Sequence, residues 1–469
     1  MIALTLAEIA SVTGGAVDGD PSTLVTGPAF LDSRTPEPGG LFAAFAGEHV
    51  DGHDFAAAAV AGGAAAVLGS RPTGVATVVV PDAGAALQEL ARTVLGRLRA
   101  AGCPDVVAVT GSSGKTTTKD LLARVLGDDA ATVATHGSFN NELGLPLTVL
   151  RADAGTRHLV LEMGSRGIGH LRELTAIARP DVSLVLNVGT AHIGEFGSQA
   201  NIAVAKGELV EALAPDGVAV LNSDDPLVSA MSARTDARIV TFGTAAGASV
   251  RVDGLSLDDL GRPRFTLEAE GQRVPVALRL LGAHQAMNAA AVAAVATTLG
   301  VRLADVADRL GSVASSSPWR MEVHERADGL VVINDAYNAN PDSMRAALDT
   351  LAGIGARSGR RTVAVLGEMR ELGDTAEAAH AGIGRHLDEL GIDSTLVVGP
   401  GATAIRGRST RHVESVSDAV AWLGKNVHRT DVVLIKASRG ARLERVADAL
   451  LVAGGDDTSL PGSAEGTTR

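Results

Sequence analysis

Short apolar runs alternate with longer stretches of helical periodicity along almost the whole chain. The runs at 106–110, 158–161, 183–187, 363–366, 395–398 and 432–436 are too short for helices, and each ends in glycine or polar residues. Such runs are typical of buried parallel strands followed by βα loops. The pattern therefore predicts an α/β fold. Residues 250–280 alternate polar and apolar positions instead, which predicts an antiparallel excursion.

Two breaks in this pattern divide the chain into three segments. A helical pattern is interrupted by Ala-Gly-Cys-Pro at 101–104, directly before the strand at 106–110. A small polar stretch, Ala-Ser-Ser-Ser-Pro at 314–318, follows another helical pattern. Because 469 residues are too many for one ordinary core, we predict domains at 1–104, 105–313 and 314–454. The tail at 455–469 lacks apolar periodicity and is predicted to be disordered.

Composition narrows the function classes and the compartment. The formal net charge of −13 argues against nucleic acid or an acidic membrane surface as the main partner. The single cysteine, Cys103, excludes an intramolecular disulfide and favours a reducing compartment. No basic segment precedes an apolar core at the N-terminus, and residues 55–68 are mostly alanine and glycine. We therefore expect a cytoplasmic protein without membrane insertion.

The strongest motif is a glycine turn between a strand and a helix. The strand at 106–110 leads into Gly-Ser-Ser-Gly-Lys-Thr-Thr at 111–117, and a helix is predicted to begin near Lys115. Backbone N–H groups of such a loop surround phosphate oxygens, the lysine reaches the β- and γ-phosphates, and the Thr116 hydroxyl can bind Mg²⁺. Val109 stands where the usual pattern has its first glycine, so this loop is a short variant. A chance glycine turn with a solvated lysine is the alternative.

Three polar residues downstream could belong to the same site. Glu162 ends the strand at 158–161, where a second protein ligand of a nucleotide-bound Mg²⁺ is expected. His192 follows the next strand, and Lys206 lies in a helical segment. Each has an ordinary alternative: a loop cap for the glutamate, a structural role for the histidine and an exposed position for the lysine. A further alternative is that Lys206 stays an ammonium and forms an ion pair with a neighbour such as Glu208 or with a phosphate.

Several separated blocks, in the same order along the chain, resemble the Mur ligase family. Together they cover nearly the whole chain except the tail, at 32–34, 38–42, 51–55, 110–117, 137–146, 221–226, 282–288, 334–341, 367–369, 371–373 and 436–439. The resemblance implies an N-terminal UDP-sugar-binding domain and a central ATP-binding domain on a P-loop-type, mostly parallel sheet. It also implies a Rossmann-like C-terminal ligase domain.

The resemblance further implies an ATP-dependent peptide ligase that works through an acyl phosphate. The block Tyr-Asn-Ala-Asn-Pro at 337–341 points to the addition of D-alanyl-D-alanine to UDP-N-acetylmuramoyl-tripeptide, which forms the pentapeptide precursor of peptidoglycan. The Asp-Asn-Pro-Arg motif typical of the sister enzyme that adds the third amino acid is absent from the sequence. Folate-polyglutamate ligases usually have Gly-Lys-Gly, where this chain has Gly-Lys-Thr at 114–116.

Residue roles also follow from the resemblance. It implies ATP and two Mg²⁺ ions as cofactors and a carbamylated Lys206. Catalytic roles fall on Lys115, His192 and Lys206, and metal ligation on Thr116, Glu162, His192 and Lys206. ATP binding falls on Gly111, Ser112, Ser113, Gly114, Lys115, Thr116, Thr117, Asn288, Arg320 and Asp335. Substrate binding falls on Ser33, Arg34, Asp51, Gly52, His53, Asn140, Asn141, Tyr337, Asn338, Asn340, Lys436, Ser438 and Arg439.

Other readings of the same residues stay open at this point. One is a sister amide ligase that adds a single amino acid, and another is a plain P-loop NTPase or kinase, which gives no role to His192 and Lys206. A third is an inactive scaffold protein, against which the intact set of polar residues argues. We expect a monomer. One departure from the family pattern is Trp319, where many relatives have glycine or histidine before the residue that matches Arg320.

Overall fold

The computed structural model describes residues 1–47, 50–137, 139–189, 196–313, 318–370 and 372–452. His192, most of the predicted linker at 314–318 and the tail at 455–469 lie outside these ranges. The fold is α/β, as the strand pattern predicts, and its sheets are mostly parallel.

The first hundred residues form a small sheet covered by helices. The strands are β1 Leu4–Thr5, β2 Ala16–Asp18, β3 Leu24–Val25, β4 Ala29–Phe30, β5 Leu41–Ala43, β6 Ala66–Gly69 and β7 Thr77–Val79. The helices are α1 Leu6–Thr13, α2 Ala56–Ala61 and α3 Ala83–Ala100. Five strands are ordered β2-β7-β6-β5-β4, and β1 pairs with β3. Asp82 begins α3 by accepting hydrogen bonds from the backbone of Gly84 and Ala85.

A nine-stranded sheet follows. Its strands are β8 Asp105–Thr110, β9 Thr132–Ala134, β10 His158–Glu162, β11 Val182–Val185, β12 Val218–Asn222, β13 Arg238–Gly243, β14 Val250–Leu257, β15 Pro263–Ala269 and β16 Gln272–Ala277. The order is β16-β15-β14-β13-β12-β11-β8-β10-β9. The strands from β9 to β14 pair in parallel. The predicted strands at 106–110, 158–161 and 183–187 correspond to β8, β10 and β11.

The end of this sheet confirms the antiparallel excursion predicted from residues 250–280. Only Glu270 and Gly271 join β15 to β16, and both have positive φ angles, 50° and 76°. Two such residues form the tight turn of an antiparallel hairpin.

The helices of this region are α4 Lys115–Gly127, α5 Gly144–Val149, α6 His170–Ile177, α7 Gln199–Glu211, α8 Pro226–Ser229, α9 His284–Thr298 and α10 Leu303–Ser312.

The last region is a second sheet with helices on both faces, which confirms the Rossmann-like expectation. Its strands are β17 Glu322–Glu325, β18 Val331–Asp335, β19 Thr362–Leu366, β20 Ser394–Val398, β21 Thr410–Val413 and β22 Val432–Lys436, in the order β17-β18-β22-β19-β20-β21. All pairs except β17–β18 are parallel. The helices are α11 Pro341–Ser358, α12 Ala376–Leu390, α13 Val416–Asn426 and α14 Glu444–Val452. Separate apolar clusters fill the two faces.

The chain divides into two compact units. The first contains Met1–Asp253, Thr266–Val276 and Met287–Leu310, and the second contains Gly254–Phe265, Ala277–Ala286 and the chain from Gly311 onward. Within the first unit, leucines of α3 and the strands β8 and β10 belong to one continuous apolar core. The boundaries at 104, 313 and 454 stay predictions. Among the described residues, no helix is long and apolar enough to cross a membrane.

Candidate active site

The phosphate-loop motif lies at the centre of the first unit. Strand β8, which lies between β11 and β10 in the sheet, ends at Thr110, and α4 begins at Lys115. Gly114 adopts a left-handed conformation, φ +80°, and a Cβ atom there would lie 2.8 Å from Oδ1 of Asn288. No side chain caps α4, so its first-turn N–H groups and its partial positive charge are available to an anion. Only glycine fits this turn, as the motif requires.

Asn187 holds this loop in place through the oxygen and the nitrogen of its side-chain amide. Its Oδ1 accepts a hydrogen bond from the backbone of Ser113 at 2.9 Å, and its Nδ2 donates to the Ser113 carbonyl at 3.2 Å. The Ser112 N–H donates to the Asn187 carbonyl at 3.1 Å, and Ser112 Oγ accepts from Gly189 N–H at 2.9 Å. Sequence reasoning did not select Asn187. Its one signal is its position, as a polar residue at the carboxyl end of a predicted strand.

Lys115 and Thr116 are positioned by the first turn of α4. The Lys115 ammonium donates to the Gly111 carbonyl at 2.7 Å, which places the charge over the loop. Thr116 is buried, with 6% of its surface exposed. The two side chains are therefore close to the backbone groups that would contact phosphate.

Glu162 is the residue whose surroundings best fit a metal ion. It ends β10, which lies beside β8 in parallel register. One carboxylate oxygen accepts a hydrogen bond from Asn140 at 2.7 Å. The other is buried, and no described residue donates a hydrogen bond to it. A carboxylate that is 1% exposed with an unsatisfied oxygen is costly unless a cation binds it. An oxygen ligand of this kind suits Mg²⁺.

Lys206 is buried in α7 with 5% of its surface exposed, so the expectation of an exposed helix lysine is wrong. No hydrogen bond or ion pair connects its amine to any residue in the described part of the chain. Burial, helped by the nearby Lys115 ammonium, lowers the pKa of Lys206 to about 7. A bare cation is therefore unfavourable at this position.

The alternative of an ion pair between Lys206 and Glu208 is also wrong. The Glu208 carboxylate accepts hydrogen bonds from the backbone of Gly169 at 2.5 Å and of Arg172 at 3.2 Å. Both lie at the N-terminus of α6, whose partial positive charge favours a carboxylate. Glu208 therefore caps the N-terminus of α6, a structural role that was not predicted from the sequence. His192, the third predicted member of this group, lies outside the described residues.

The asparagines at 140 and 141 have different roles. Asn140 holds Glu162 through its side chain, and its carbonyl accepts from Gly164 N–H at 2.9 Å. Asn141 uses its side-chain oxygen to accept from Gly144 N–H at 2.9 Å, at the start of α5. Asn140 is therefore at the candidate metal site, whereas the Asn141 oxygen is used by the local turn.

The predicted UDP-sugar residues form two clusters in the first unit. The exposed Arg34 makes a two-point ion pair with Asp32, and Ser33 lies between them in sequence. In the second cluster, Asp51 accepts from His53 Nδ1 at 2.6 Å, and His53 Nε2 accepts from Ser70 N–H at 2.8 Å. These contacts require the tautomer with a proton on Nδ1.

His53 is therefore fully occupied and buried, while its neighbours are more accessible. Asp51 also accepts a hydrogen bond from Arg71 at 3.1 Å, and the contacts with His53 and Arg71 hold the pKa of that carboxyl at about 2. A Cβ at Gly52 would lie 2.8 Å from the Phe45 carbonyl. A larger residue would not fit at Gly52, and the more accessible Asp51 and Arg71 are the side chains of this cluster that are placed to contact a ligand.

In the second unit, several predicted residues meet at the carboxyl ends of β18 and β22. The buried Lys436 ammonium donates to Asp335 at 2.5 Å and to the Asn338 carbonyl at 2.9 Å. Ser438 Oγ accepts from Arg370 N–H at 3.0 Å and donates to the Ala339 carbonyl at 3.3 Å. This network orders the 336–340 loop.

Asn340 is explained by helix capping. Its side chain accepts from Ser343 N–H at 2.8 Å and forms a capping box at the start of α11, with Pro341 in the first turn. Asn and Pro in this order are a local signal for a helix start. This capping role explains the Asn340 side chain without any contact to a substrate. The predicted role of Asn340 in substrate binding therefore has no support from this geometry.

Comparison with known proteins decides the family. Three family models match successive parts of the chain: the Mur ligase family catalytic domain at 30–100, the Mur ligase middle domain at 109–296 and the Mur ligase glutamate ligase domain at 319–439. The UDP-N-acetylmuramoyl-tripeptide–D-alanyl-D-alanine ligase of Mycobacterium tuberculosis is 45% identical, over 98% of this chain and 99% of its own length. The chain belongs to the Mur ligase family.

Solved structures agree with this membership. MurF from Acinetobacter baumannii matches with a TM-score of 0.83 and 31% identity, covering 96% of this chain and 99% of that one. The MurF ligase of Thermotoga maritima, solved in complex with ADP, has a TM-score of 0.77 and 32% identity, covering 91% and 98%. The phosphate loop, Glu162 and Lys206 of this Mur ligase all lie within the middle-domain match.

We predict that replacing the Lys206 amine by an apolar group stabilises the folded protein. The folded-state pKa of about 7 lies below the ordinary lysine value of 10.5, so the destabilisation is fully present below pH 7 and declines as pH rises toward 10.5. Lys206→Met should therefore raise the free energy of unfolding by about 2–4 kcal/mol near pH 6, and by less at pH 9. Urea unfolding in carbonate-free buffer without Mg²⁺ measures this.

The matched control for that measurement is Lys119→Met. Lys119 is also buried, but it forms an ion pair with Asp120, so its loss should lower stability. A Lys206→Met protein that unfolds more easily than the parent at pH 6 would contradict the interpretation of Lys206 as a buried cation without a partner.

Proposed function

We propose that this chain joins D-alanyl-D-alanine to UDP-N-acetylmuramoyl-tripeptide, driven by ATP, in peptidoglycan synthesis. The observation that carries this is the full-length match, at 45% identity, to a ligase of that name. Relatives of the same name from Bacillus subtilis and Escherichia coli match at 35% and 34% identity over 96% of the chain. The chain is thus an ATP-dependent peptide ligase.

The chemistry requires two anions to react with each other. The terminal carboxylate of the tripeptide attacks the γ-phosphate of ATP, and ADP leaves from an acyl phosphate. The amine of the dipeptide then attacks the acyl carbon, the C–O bond breaks and phosphate departs. Because the first step brings negative charges together, it depends on cations and oriented N–H groups more than on a base.

The residues of the first unit are suited to the nucleotide phosphates. The N–H groups of 111–117, in the turn that Asn187 holds, would bind phosphate oxygens, and the Lys115 ammonium would neutralise their charge. Asn288 lies against this turn, within 2.8 Å of a Cβ at Gly114. We propose that Asn288 binds the nucleotide, and we propose the same role for Arg320 and Asp335 of the second unit.

One Mg²⁺ would be held by Thr116 and Glu162, and a second by His192 and a carbamylated Lys206. When bound, the two ions supply positive charge to the phosphates and to the attacking carboxylate. The unsatisfied buried oxygen of Glu162 fits this role. Asn140 would hold the Glu162 carboxylate in orientation through its 2.7 Å hydrogen bond.

The surroundings of Lys206 support the proposal that it is carbamylated. The reaction needs a neutral amine and CO₂, and a pKa of about 7 makes roughly half of the amines neutral at neutral pH. The neutral fraction, and with it carbamate formation, rises as pH increases through 7. The product is an anion whose oxygens suit Mg²⁺, so an unfavourable buried cation becomes a metal ligand.

The remaining proposals concern the binding sites for the UDP-sugar and the dipeptide, the oligomeric state and the cellular compartment. Ser33, Arg34 and the Asp51 turn are proposed to bind the UDP-sugar, and Tyr337, Asn338, Lys436, Ser438 and Arg439 the dipeptide. We further propose that the enzyme acts as a monomer in the cytoplasm, where ATP is available and where Cys103 would stay reduced.

We predict that phosphate release requires ATP, the UDP-linked tripeptide and D-alanyl-D-alanine together, because the acyl phosphate forms only on the tripeptide and is consumed only by the dipeptide. A coupled phosphate assay with each component omitted in turn measures this. Free D-alanine and free diaminopimelate serve as controls. Rapid turnover with a free amino acid in place of the dipeptide would overturn this substrate assignment while leaving the family unchanged.

We predict that Lys115→Ala lowers the turnover rate by about 10²–10³, the usual effect of losing one donor to a transition-state anion. Melting temperature should be nearly unchanged. Lys425→Ala, which removes an exposed lysine on α13, is the control and should keep full activity. An unaltered rate in well-folded Lys115→Ala would show that the loop is only structural.

We predict that Lys206→Ala is inactive and that small carboxylic acids such as acetate or propionate restore part of its activity by supplying the missing anion. Lys206→Arg keeps the positive charge but forms no such ligand, so it should stay inactive. The same acids should not rescue Lys115→Ala, whose missing group is a cation. Activity of Lys206→Arg close to that of the parent would rule out the carbamate.

A further inference from the structure

The Arg439 guanidinium lies within cation–π distance of the rings of two aromatic residues. The chain has only two tryptophans and one tyrosine, yet Trp319 and Tyr337 both lie beside this arginine. Its Cζ is 4.3 Å from the Trp319 ring centre and 5.6 Å from the Tyr337 ring centre, and Arg320 stacks over Tyr337 at 4.2 Å. The order Trp319, Arg439, Tyr337, Arg320 therefore alternates an aromatic ring with a guanidinium group, which is a favourable cation–π arrangement.

The backbone at Trp319 is held in a conformation that tryptophan rarely adopts. Its φ angle is +62°, and that of Met321 is +49°. Hydrogen bonds fix the segment, from Tyr337 N–H to the Trp319 carbonyl at 3.1 Å, from Trp319 N–H to Glu322 at 3.0 Å and from Met321 N–H to Asp335 at 3.0 Å. Strained backbone of this kind persists only where the surroundings determine it, and it is common at functional sites.

Arg439 has its charge available on the side not covered by the rings. It is exposed, and no acidic side chain among the described residues pairs with it. It borders a cavity of about 500 Å³ whose other lining residues include Arg442 and Arg445, with Glu444 as the one acid. In a chain with a net charge of −13, this is a locally positive surface. The N–H groups of a guanidinium that is held beside a ring and exposed to solvent can bind a carboxylate by two hydrogen bonds.

We propose that Trp319 is a positioning residue for the dipeptide: its indole orients the Arg439 guanidinium toward the terminal carboxylate of D-alanyl-D-alanine. This inference rests on the proposed function. Trp319 does not contact the substrate itself, and it acts by restricting the arginine to one orientation. Without the ring, Arg439 samples many rotamers, and binding must restrict them.

The test uses Trp319→Gly and Trp319→Phe. Glycine adopts a positive φ without strain, so the first variant removes the ring and spares the backbone, whereas phenylalanine keeps a ring. Trp319→Gly should raise KM for D-alanyl-D-alanine about three- to thirty-fold, the range expected for a lost cation–π contact. KM for ATP and for the UDP-tripeptide, and the melting temperature, should change little. Trp319→Phe should recover most of the loss.

Coupling between the ring and the arginine is measured by a double-mutant cycle. The effects of Trp319→Gly and Arg439→Ala on KM for the dipeptide should be clearly less than additive, because both remove the same contact. The dipeptide amide, which lacks the carboxylate, should bind poorly to the parent and be insensitive to Trp319→Gly. Additive effects, or an equal rise in KM for all three substrates, would overturn the proposal.

A spectroscopic measurement separates this inference from the proposed function. In a Trp422→Phe background, Trp319 is the one remaining indole, so adding D-alanyl-D-alanine should change its emission in the presence of ATP analogue and UDP-tripeptide. If the parent releases phosphate only with all three substrates but Trp319 emission and the Trp319→Gly KM stay unchanged, the inference fails alone. If the parent does not use the dipeptide, the proposed function fails and this inference with it.

Discussion

The burial of the Lys206 amine near the Lys115 ammonium is the constraint on which the rest of the candidate site depends. Two neighbouring cations repel each other, and burial together with the nearby Lys115 ammonium lowers the pKa of Lys206 to about 7. Lys115 has to stay charged to act on phosphate. A neutral Lys206 amine, or the carbamate proposed above, removes this repulsion, and the proposed carbamate would turn an unfavourable residue into a ligand for Mg²⁺.

The surrounding polar groups are arranged so that few of them compete for this role. Glu208, two residues from Lys206, is used at the start of α6, and Asn187 is used to hold the phosphate loop. Glu162 keeps one buried oxygen that no described residue satisfies. Oriented groups that require no rearrangement are effective at stabilising charge in a water-poor site. In an acidic protein, such local order has to replace a general positive field in holding anionic substrates.

Sequence reasoning was most successful where structure is local. The strand before Gly111, the helix beginning at Lys115 and the strand ending at Glu162 follow from short-range patterns, and the fold class follows from their alternation. The helical pattern alone wrongly favoured an exposed Lys206, because α7 is buried around much of its C-terminal half and shows no clear apolar face. The cap by Asn340 had a local signal. The positive φ of Trp319 had none, since tertiary contacts impose it.

Transfer of an oxygen atom tests the carboxylate-activation chemistry most directly. The tripeptide would be prepared with ¹⁸O in both oxygens of its terminal carboxylate, and the phosphate released in a complete reaction would be analysed by mass spectrometry. Attack of the carboxylate on ATP followed by amide formation leaves one ¹⁸O in each phosphate and the other in the new amide. Phosphate that carries no ¹⁸O, formed at the same rate, would show that water attacks ATP and would contradict the acyl-phosphate mechanism.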